Sequence, residues 1–135
     1  MLCTELADEA ATLAYGAELA THFRNGVMYL KGELGAGKTT LVRGYLRRLG
    51  YVGLVKSPTY TLIEHYEASG LAIAHMDLYR VDDPKELTYI GLEDVMHATD
   101  VLFVEWPERG TDYLPPASSI IKFSVQANVR IASRS

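Results

Sequence analysis

The sequence predicts an α/β fold, a sandwich in which helices flank a mixed, partly parallel sheet. Two observations predict it. Short apolar segments alternate with segments of helical periodicity, and residues 27–49 have the pattern of a strand, a glycine-rich loop and a helix in direct succession. The chain has 135 residues, of which 48% are hydrophobic and 22% are charged. This length and composition suit one globular domain, which we expect to span residues 1–135.

The first half of the chain contains two predicted helices and one strand. The first helix is predicted by apolar residues that recur mostly at steps of three and four: Leu6, Ala10, Leu13, Ala14 and Ala17. Asn25-Gly26 is expected to end this segment, and residues 27–31 are short and mostly apolar, as in a buried strand. The second helix is predicted by its apolar face: Leu41, Val42, Tyr45, Leu46 and Leu49. Gly50 is its expected C-cap.

The middle of the chain predicts a hairpin and a short helix. Residues 60–67 are rich in β-formers, and residues 71–76 form a second strand after the turn at Ala68-Ser69-Gly70. Asp83-Pro84-Lys85-Glu86 combines a capping residue, a proline at the first helical position and a glutamate three residues after the cap. This combination predicts the start of a short helix.

The last third of the chain predicts the remaining strands. Residues 101–104 are Val-Leu-Phe-Val, an apolar strand that ends at Glu105. Pro115-Pro116 interrupts the chain before a strand at residues 120–125, which we expect to pair with residues 129–132. These strands complete the predicted sheet.

The charge balance and the N-terminus exclude several classes of function. Thirteen basic and 17 acidic residues give a net charge of −4, and no basic stripe for direct nucleic-acid binding is present. We interpret the one local cluster, Arg43, Arg47 and Arg48, as a solvated helix face. No apolar run approaches the roughly 18 residues that cross a bilayer, and the acidic N-terminus is not a secretory signal. Because Cys3 is the one cysteine and can form no internal disulfide, we expect the protein to be located in the cytoplasm.

Residues 32–39, Gly-Glu-Leu-Gly-Ala-Gly-Lys-Thr, fit the pattern G-x-x-x-x-G-K-[ST]. Glycines let the backbone adopt positive φ, so that the amides of the loop point inward at phosphate oxygens. The following helix adds its unpaired N-terminal amides and the positive end of its dipole. Lys38 can place its charge between the β- and γ-phosphates, and the Thr39 hydroxyl can ligate Mg²⁺.

The pattern therefore predicts a P-loop NTPase-like fold with a nucleotide site at this loop. The predicted nucleotide contacts are the loop and the start of its helix: Gly32, Leu34, Gly35, Ala36, Gly37, Lys38, Thr39 and Thr40. We count Lys38 among the catalytic residues as well.

Two acids at strand ends are candidates to complete the site. Glu105 ends the cleaner apolar strand, and Asp77 ends the strand at residues 71–76. We assign Glu105, with Thr39, to the magnesium shell and Asp77 to orienting or deprotonating the attacking water. The pattern also permits the exchange of these two assignments.

Other residues have two interpretations each. Thr59 either senses the γ-phosphate from a switch-like loop or belongs to a Ser-Pro turn that leads into a strand. Trp106 either packs near the nucleotide or fills the core. Arg80 and Arg109 are interpreted as surface or structural arginines, with neutralisation of transition-state charge as the alternative.

The four histidines lack zinc-ligand spacing: His22, His65, His75 and His97.

Four motifs in order resemble one family. They are Gly-Glu-Leu-Gly-Ala-Gly-Lys-Thr-Thr at 32–40, Lys-Ser-Pro-Thr-Tyr-Thr-Leu at 56–62, His-Met-Asp-Leu-Tyr-Arg at 75–80 and Val-Glu-Trp-Pro-Glu at 104–108. Together they resemble the bacterial TsaE (YjeE) family of ATPases in tRNA threonylcarbamoyladenosine synthesis. The similarity runs from about residue 6 to about residue 125.

The resemblance implies that ATP is the nucleotide and that its hydrolysis serves the complex that transfers a threonylcarbamoyl group to an adenosine next to the tRNA anticodon. It implies a TsaD-like transferase subunit and a TsaB-like companion as partners, no membrane, and contact with tRNA only through the complex. By matching position, Lys38 and Thr39 hold phosphate and Mg²⁺, and Asp77 and Glu105 are the essential acids, with Trp106 after the second. Family members often extend beyond the final strand, whereas this sequence stops at residue 135. A shorter tail is expected to weaken contacts with the nucleotide or a partner there and to leave the motifs unchanged.

Two other functions share these residues. A small-molecule kinase needs an acceptor pocket and an arginine-bearing lid, for which 135 residues leave no obvious room. A nucleotide-dependent binding switch with negligible turnover needs Lys38 and Thr39 and tolerates loss of the catalytic acid. A GTPase is less consistent with the sequence, because no Asn-Lys-x-Asp segment is present to recognise guanine.

Overall fold

A mixed β-sheet with helices on both faces organises the chain in a computed structural model that describes residues 2–33, 35, 37–59 and 61–135. The strands are β1 (Leu2–Leu6), β2 (Gly26–Lys31), β3 (Ile63–Ala68), β4 (Leu71–Asp77), β5 (Val101–Glu105), β6 (Ser119–Gln126) and β7 (Val129–Arg134). The helices are α1 (Glu9–Leu19), α2 (Lys38–Arg48), α3 (Glu86–Tyr89) and α4 (Leu92–Ala98), with 3₁₀ turns at Pro107–Arg109 and Thr111–Tyr113.

The described residues form one sheet of seven strands in the order β1-β7-β6-β2-β5-β4-β3. The four inner strands, β6, β2, β5 and β4, are parallel to one another, whereas the outer pairs β6–β7, β7–β1 and β4–β3 are antiparallel. The prediction of a mixed, partly parallel sheet flanked by helices is therefore confirmed. Because parallel strands end at the same edge, the C-terminal ends of β2, β5 and β4 lie side by side.

The two faces of the sheet have separate cores. On one face, α1 and α2 cover strand residues such as Met28, Ile73 and Phe103. On the other face, α3 and α4 cover the alternate positions, such as Met76 and Val104. Burial of both faces explains why the inner strands have continuous apolar runs instead of alternation.

The largest departure from the sequence prediction is at the N-terminus, where Leu6 belongs to β1 and not to the first helix. Leu6 pairs with Arg130 of β7, a partner that local periodicity cannot reveal. The helix begins after Asp8, whose side chain accepts the Ala11 N–H at 2.8 Å. It ends at Leu19, well before Asn25-Gly26.

Smaller departures occur elsewhere. Strand β3 begins at Ile63, later than the predicted residue 60, and Tyr60 lies outside the described residues. Helix α4 was not predicted. A short helix is present as predicted, but α3 begins at Glu86, with Lys85 and not Asp83 at its N-cap. The Glu86 carboxylate accepts the Asp82 and Asp83 N–H groups ahead of it. None of the helices in the described ranges is long and apolar enough to cross a membrane.

Two glycines bring the backbones of α1 and α2 into direct contact. A Cβ atom on Gly16 would lie 2.0 Å from the Leu41 carbonyl oxygen, and one on Gly44 would lie 2.1 Å from the Leu13 carbonyl oxygen. Backbone atoms cannot move aside as the end of a side chain can. Helix α1 therefore fixes the position of α2, which begins at Lys38.

We expect Gly44→Ala to lower the free energy of unfolding by about 1–3 kcal/mol, because the added methyl group forces the two helices apart. This loss exceeds the gain of roughly 0.5–1 kcal/mol that alanine brings inside a helix. Urea denaturation measures the difference. The matched control is Ala14→Ser on the exposed side of α1, which should change stability by less than about 0.5 kcal/mol. A Gly44→Ala chain as stable as the original would contradict the close contact.

Candidate functional site

A cleft of about 390 Å³ lies at the C-terminal edge of the parallel strands, next to the loop that joins β2 to α2. Its lining is rich in hydroxyl and charged groups: Glu9, Thr12, Gly35, Gly37, Lys38, Thr39, Thr40, Ser57, Thr59, Asp77, Glu105 and Arg130. The structure thus brings the predicted lysine, threonines and both acids to one place.

The loop adopts the backbone conformation that its glycines permit. Gly32, Gly35 and Gly37 have φ values of 142°, 75° and 109°, which disfavour residues with a Cβ. Leu34 and Ala36, also predicted as nucleotide contacts, lie outside the described residues. Gly37 precedes α2 and has no side chain to cap it, so the first amides of the helix are available to an anion.

Lys38 is a buried cation at the start of α2. Its side chain is 4% exposed, and its Nζ donates to the Gly32 carbonyl oxygen at 2.5 Å. Burial lowers the pKa of the ammonium group below its usual value, and the Glu105 and Asp77 carboxylates oppose this shift. The same Nζ lies 4.4 Å from the centre of the Trp106 ring, within the range of a cation–π contact.

Glu105 receives two polar contacts on the same oxygen. Thr39 Oγ1 donates to Glu105 Oε2 at 3.1 Å, and His75 Nε2 lies 2.5 Å from that oxygen. Glu105 is 4% exposed and His75 is fully buried. The predicted magnesium pair, Thr39 and Glu105, is therefore in direct contact.

Asp77 lies beside Glu105, because the two residues are register partners at the ends of β4 and β5. Asp77 Oδ2 accepts the Thr59 hydroxyl at 2.9 Å, and its Oδ1 accepts the Tyr79 N–H at 2.9 Å. Ser57 Oγ lies 2.9 Å from Thr59 Oγ1. The loop before β3 thus reaches the site through the contact of Thr59 with Asp77.

Trp106 lies beside the site and not only in the core. Its backbone has a φ of 56°, and its ring lies against Tyr79, with ring centres 5.1 Å apart. Arg109 is exposed and its guanidinium lies 5.4 Å from the Tyr79 ring. Arg80 is exposed as well, and neither arginine is among the described residues that line the cleft.

Sequence reasoning missed four residues of the lining, Glu9, Thr12, Ser57 and Arg130. Arg130 is the most notable, because its Nη2 donates to the Gly35 carbonyl oxygen at 3.2 Å while its buried Nε has no hydrogen-bond partner within the described structure. It comes from β7, at the far end of the chain. No local motif surrounds Arg130, so no signal in the sequence alone identifies it.

The residues present suit Mg²⁺. A hydroxyl and two carboxylates are hard oxygen ligands, which magnesium prefers, and magnesium is often held by one or two carboxylates together with substrate phosphates. The described residues contain no group of three or more His, Cys, Asp or Glu side chains that could hold a metal ion. Thr39 and Glu105, which contact each other, are the residues that could hold it.

The fold and the site define a class: an α/β protein in which a loop of the sequence G-x-x-x-x-G-K-T joins a central parallel strand to a helix, with acids at the ends of the neighbouring strands. Within this class the chain belongs to the TsaE family, because the family profile "Threonylcarbamoyl adenosine biosynthesis protein TsaE" matches residues 6–134. The protein is therefore involved in tRNA threonylcarbamoyladenosine biosynthesis. The family profile thus extends beyond residue 125, where the resemblance noted in the sequence ended, and it includes Arg130.

Individual relatives agree with the family. The tRNA threonylcarbamoyladenosine biosynthesis protein TsaE of Haemophilus influenzae is 42% identical over 129 residues, which cover 91% of this chain and 82% of the relative. The TsaE protein of Bacillus subtilis is 42% identical over 89 residues, covering 66% of this chain and 55% of the relative. The crystal structure of Bacillus subtilis YdiB superposes with a TM-score of 0.79 at 28% identity, covering 97% of this chain and 82% of that one.

Proposed function

We propose that this chain is a magnesium-dependent ATPase whose hydrolysis of ATP supports threonylcarbamoyl transfer to the adenosine next to the tRNA anticodon. The observation that carries the proposal is the buried Lys38 ammonium at the start of a helix, next to the buried Asp77 and Glu105 carboxylates. A buried cation beside open helix amides favours a multiply charged anion, and the adjacent acids suit a metal ion and a water molecule.

Phosphate binding is supported by three kinds of donor around the cleft. The loop and the first turn of α2 contribute backbone amides, and Lys38 contributes an ammonium group that now donates to Gly32. Arg130 contributes a guanidinium that donates to the Gly35 carbonyl oxygen. A triphosphate would replace these neutral carbonyl acceptors with negatively charged oxygens, so that both partners of each hydrogen bond would be ionised.

The contacts of the two acids support different assignments for them. Glu105 accepts from Thr39, so these two side chains would hold Mg²⁺, which neutralises charge on the phosphates when bound. Asp77 accepts from Thr59 on one oxygen and from the Tyr79 amide on the other. We infer that Asp77 orients the attacking water and accepts its proton, with Thr59 holding the carboxylate in place.

Membership of the TsaE family supports a role in threonylcarbamoyladenosine synthesis, and the binding partners are part of our proposal. We infer that a TsaD-like transferase subunit and a TsaB-like companion bind this chain, and that tRNA is reached only through that complex. The net charge of −4 agrees with an indirect contact, because direct binding of nucleic acid depends on basic side chains. The compartment proposed is the cytoplasm, and residues 1–135 are proposed to act as one domain.

We expect Lys38→Met to weaken Mg·ATP binding about 100-fold or more, because a buried cation opposite a phosphate contributes about 3 kcal/mol. Calorimetry measures the affinity. Trp106 is the single tryptophan and contacts Lys38, so its fluorescence should change when Mg·ATP binds to the original chain. The control is Lys56→Met in the exposed loop after α2, which should bind normally. Equal binding by Lys38→Met would exclude the proposed phosphate site.

We expect Arg130→Met to weaken Mg·ATP binding about fivefold, which corresponds to about 1 kcal/mol for a partly exposed ion contact. The matched control is Arg134→Met, four residues further along β7, whose guanidinium contacts Ser119 and His22. Both variants lose one positive charge, so a difference in their affinity for Mg·ATP reports the position of that charge. If the two variants bind equally well, Arg130 does not reach the phosphates.

We expect Asp77→Asn to retain Mg·ATP binding and to lose hydrolysis by a factor of about 100 or more, because an amide cannot accept the proton of the attacking water. Phosphate release is measured for the chain alone and with the transferase subunits, and Asp82→Asn on the exposed surface is the control. Hydrolysis by Asp77→Asn at the original rate would remove Asp77 from the mechanism.

The same assay separates the alternative functions. Phosphate transfer to a metabolite without free phosphate release would indicate a small-molecule kinase. Cellular function that survives Asp77→Asn but not Lys38→Met would indicate a binding switch in which turnover is negligible.

A further inference from the structure

We propose that His75 is the positioning residue for Glu105, whose carboxylate it holds by an Nε2–H hydrogen bond in the orientation that a magnesium ion requires. The inference rests on the proposed function for the identity of the metal. It assigns a purpose to the fully buried histidine next to the candidate acids.

The position of His75 in the sheet explains the contact. His75 and Asp77 are two residues apart on β4 and so lie on the same face, and His75 is the register partner of Phe103 on β5. Glu105 is two residues beyond Phe103, so its side chain meets the imidazole on a diagonal between the strands. Two further neighbours of His75 on this face of the strands, Ile73 and Phe103, are buried and apolar.

The hydrogen-bond network assigns the tautomer of the ring. An ionised carboxylate only accepts hydrogen bonds, so Nε2 at 2.5 Å from Glu105 Oε2 carries the proton. The other ring nitrogen, Nδ1, is buried without a hydrogen-bond partner among the described atoms. A proton on Nδ1 would be a buried donor with no acceptor, which costs about 1–3 kcal/mol. Within these contacts, the tautomer with its proton on Nε2 leaves no buried ring N–H unpaired.

Two donors on one oxygen restrict rotation of the Glu105 carboxylate. His75 and Thr39 both contact Oε2, from the strand side and from the helix side. Within these contacts, Oε1 is the oxygen left for a metal ion or a metal-bound water. Groups that hydrogen-bond a metal ligand orient it, and their loss typically reduces metal affinity 10–100-fold.

The first test is the protonation pattern of the ring, which needs neither nucleotide nor metal. In the chain labelled with ¹⁵N-histidine, the imidazole signals distinguish a proton on Nε2 from one on Nδ1. His75→Gln identifies the His75 signals among those of the four histidines. We expect the Nε2–H form for His75. A dominant Nδ1–H form would overturn the proposal, because that ring cannot donate to Glu105.

The second test measures ATP affinity by calorimetry with Mg²⁺ and with EDTA. We expect His75→Leu to reduce the gain in affinity that Mg²⁺ provides by about 10–100-fold and to leave metal-free binding unchanged. His75→Gln should retain the gain, because its amide nitrogen can take the place of Nε2. The control is Ile73→Val, a buried change on the same strand and face that should alter stability only.

Thermal unfolding separates folding from positioning. Should His75→Leu fail to fold, His75→Asn replaces it, because its shorter amide cannot reach Glu105. An unchanged metal dependence in the folded variant would overturn the inference about His75 and leave the ATPase proposal standing. Absence of Mg·ATP binding by the original chain would instead contradict the proposed function, and the tautomer measurement would still decide whether His75 holds Glu105.

Discussion

The structure of the site depends on one constraint, the burial of a lysine ammonium beside two buried carboxylates. Lys38, Asp77 and Glu105 are each almost fully excluded from water. Buried charges are tolerated only when they are paired or hydrogen-bonded, and each member here has such contacts. Lys38 donates to Gly32, Glu105 accepts from Thr39, and Asp77 accepts from Thr59. The three charges therefore lie among polar partners at the C-terminal ends of the apolar inner strands.

The parallel arrangement of the inner strands places these charges together. Strands β2, β5 and β4 end at one edge, so the loop after β2 faces the acids that end the other two. The close contact of α1 with α2 then holds the helix that begins at Lys38 in place, since no side chain separates the backbones at Gly16 and Gly44. Stability of the helix pair and geometry of the site are thus connected through α2.

Much of the site could be predicted because its residues stand next to local signals. Lys38 and Thr39 end a glycine-rich motif, and Asp77 and Glu105 each end an apolar strand. Arg130 could not be predicted, because a single arginine in a polar hairpin strand has no pattern that links it to a loop 95 residues earlier. The contact of His75 with Glu105 was missed for a related reason, since strand register decides which side chains meet.

Local elements and their chemistry follow from the order of residues alone: the strand, the glycine loop, the helix and the acid at the end of each apolar strand. Hydrophobic periodicity and turn residues act over a few neighbouring positions, so they can be recognised in the sequence. Other features depend on the packing of the whole chain: Leu6 belongs to a strand paired with β7, Thr39 contacts Glu105, and Arg130 reaches the loop. These contacts join residues far apart in sequence, and they form because the sheet must bury both of its faces at once.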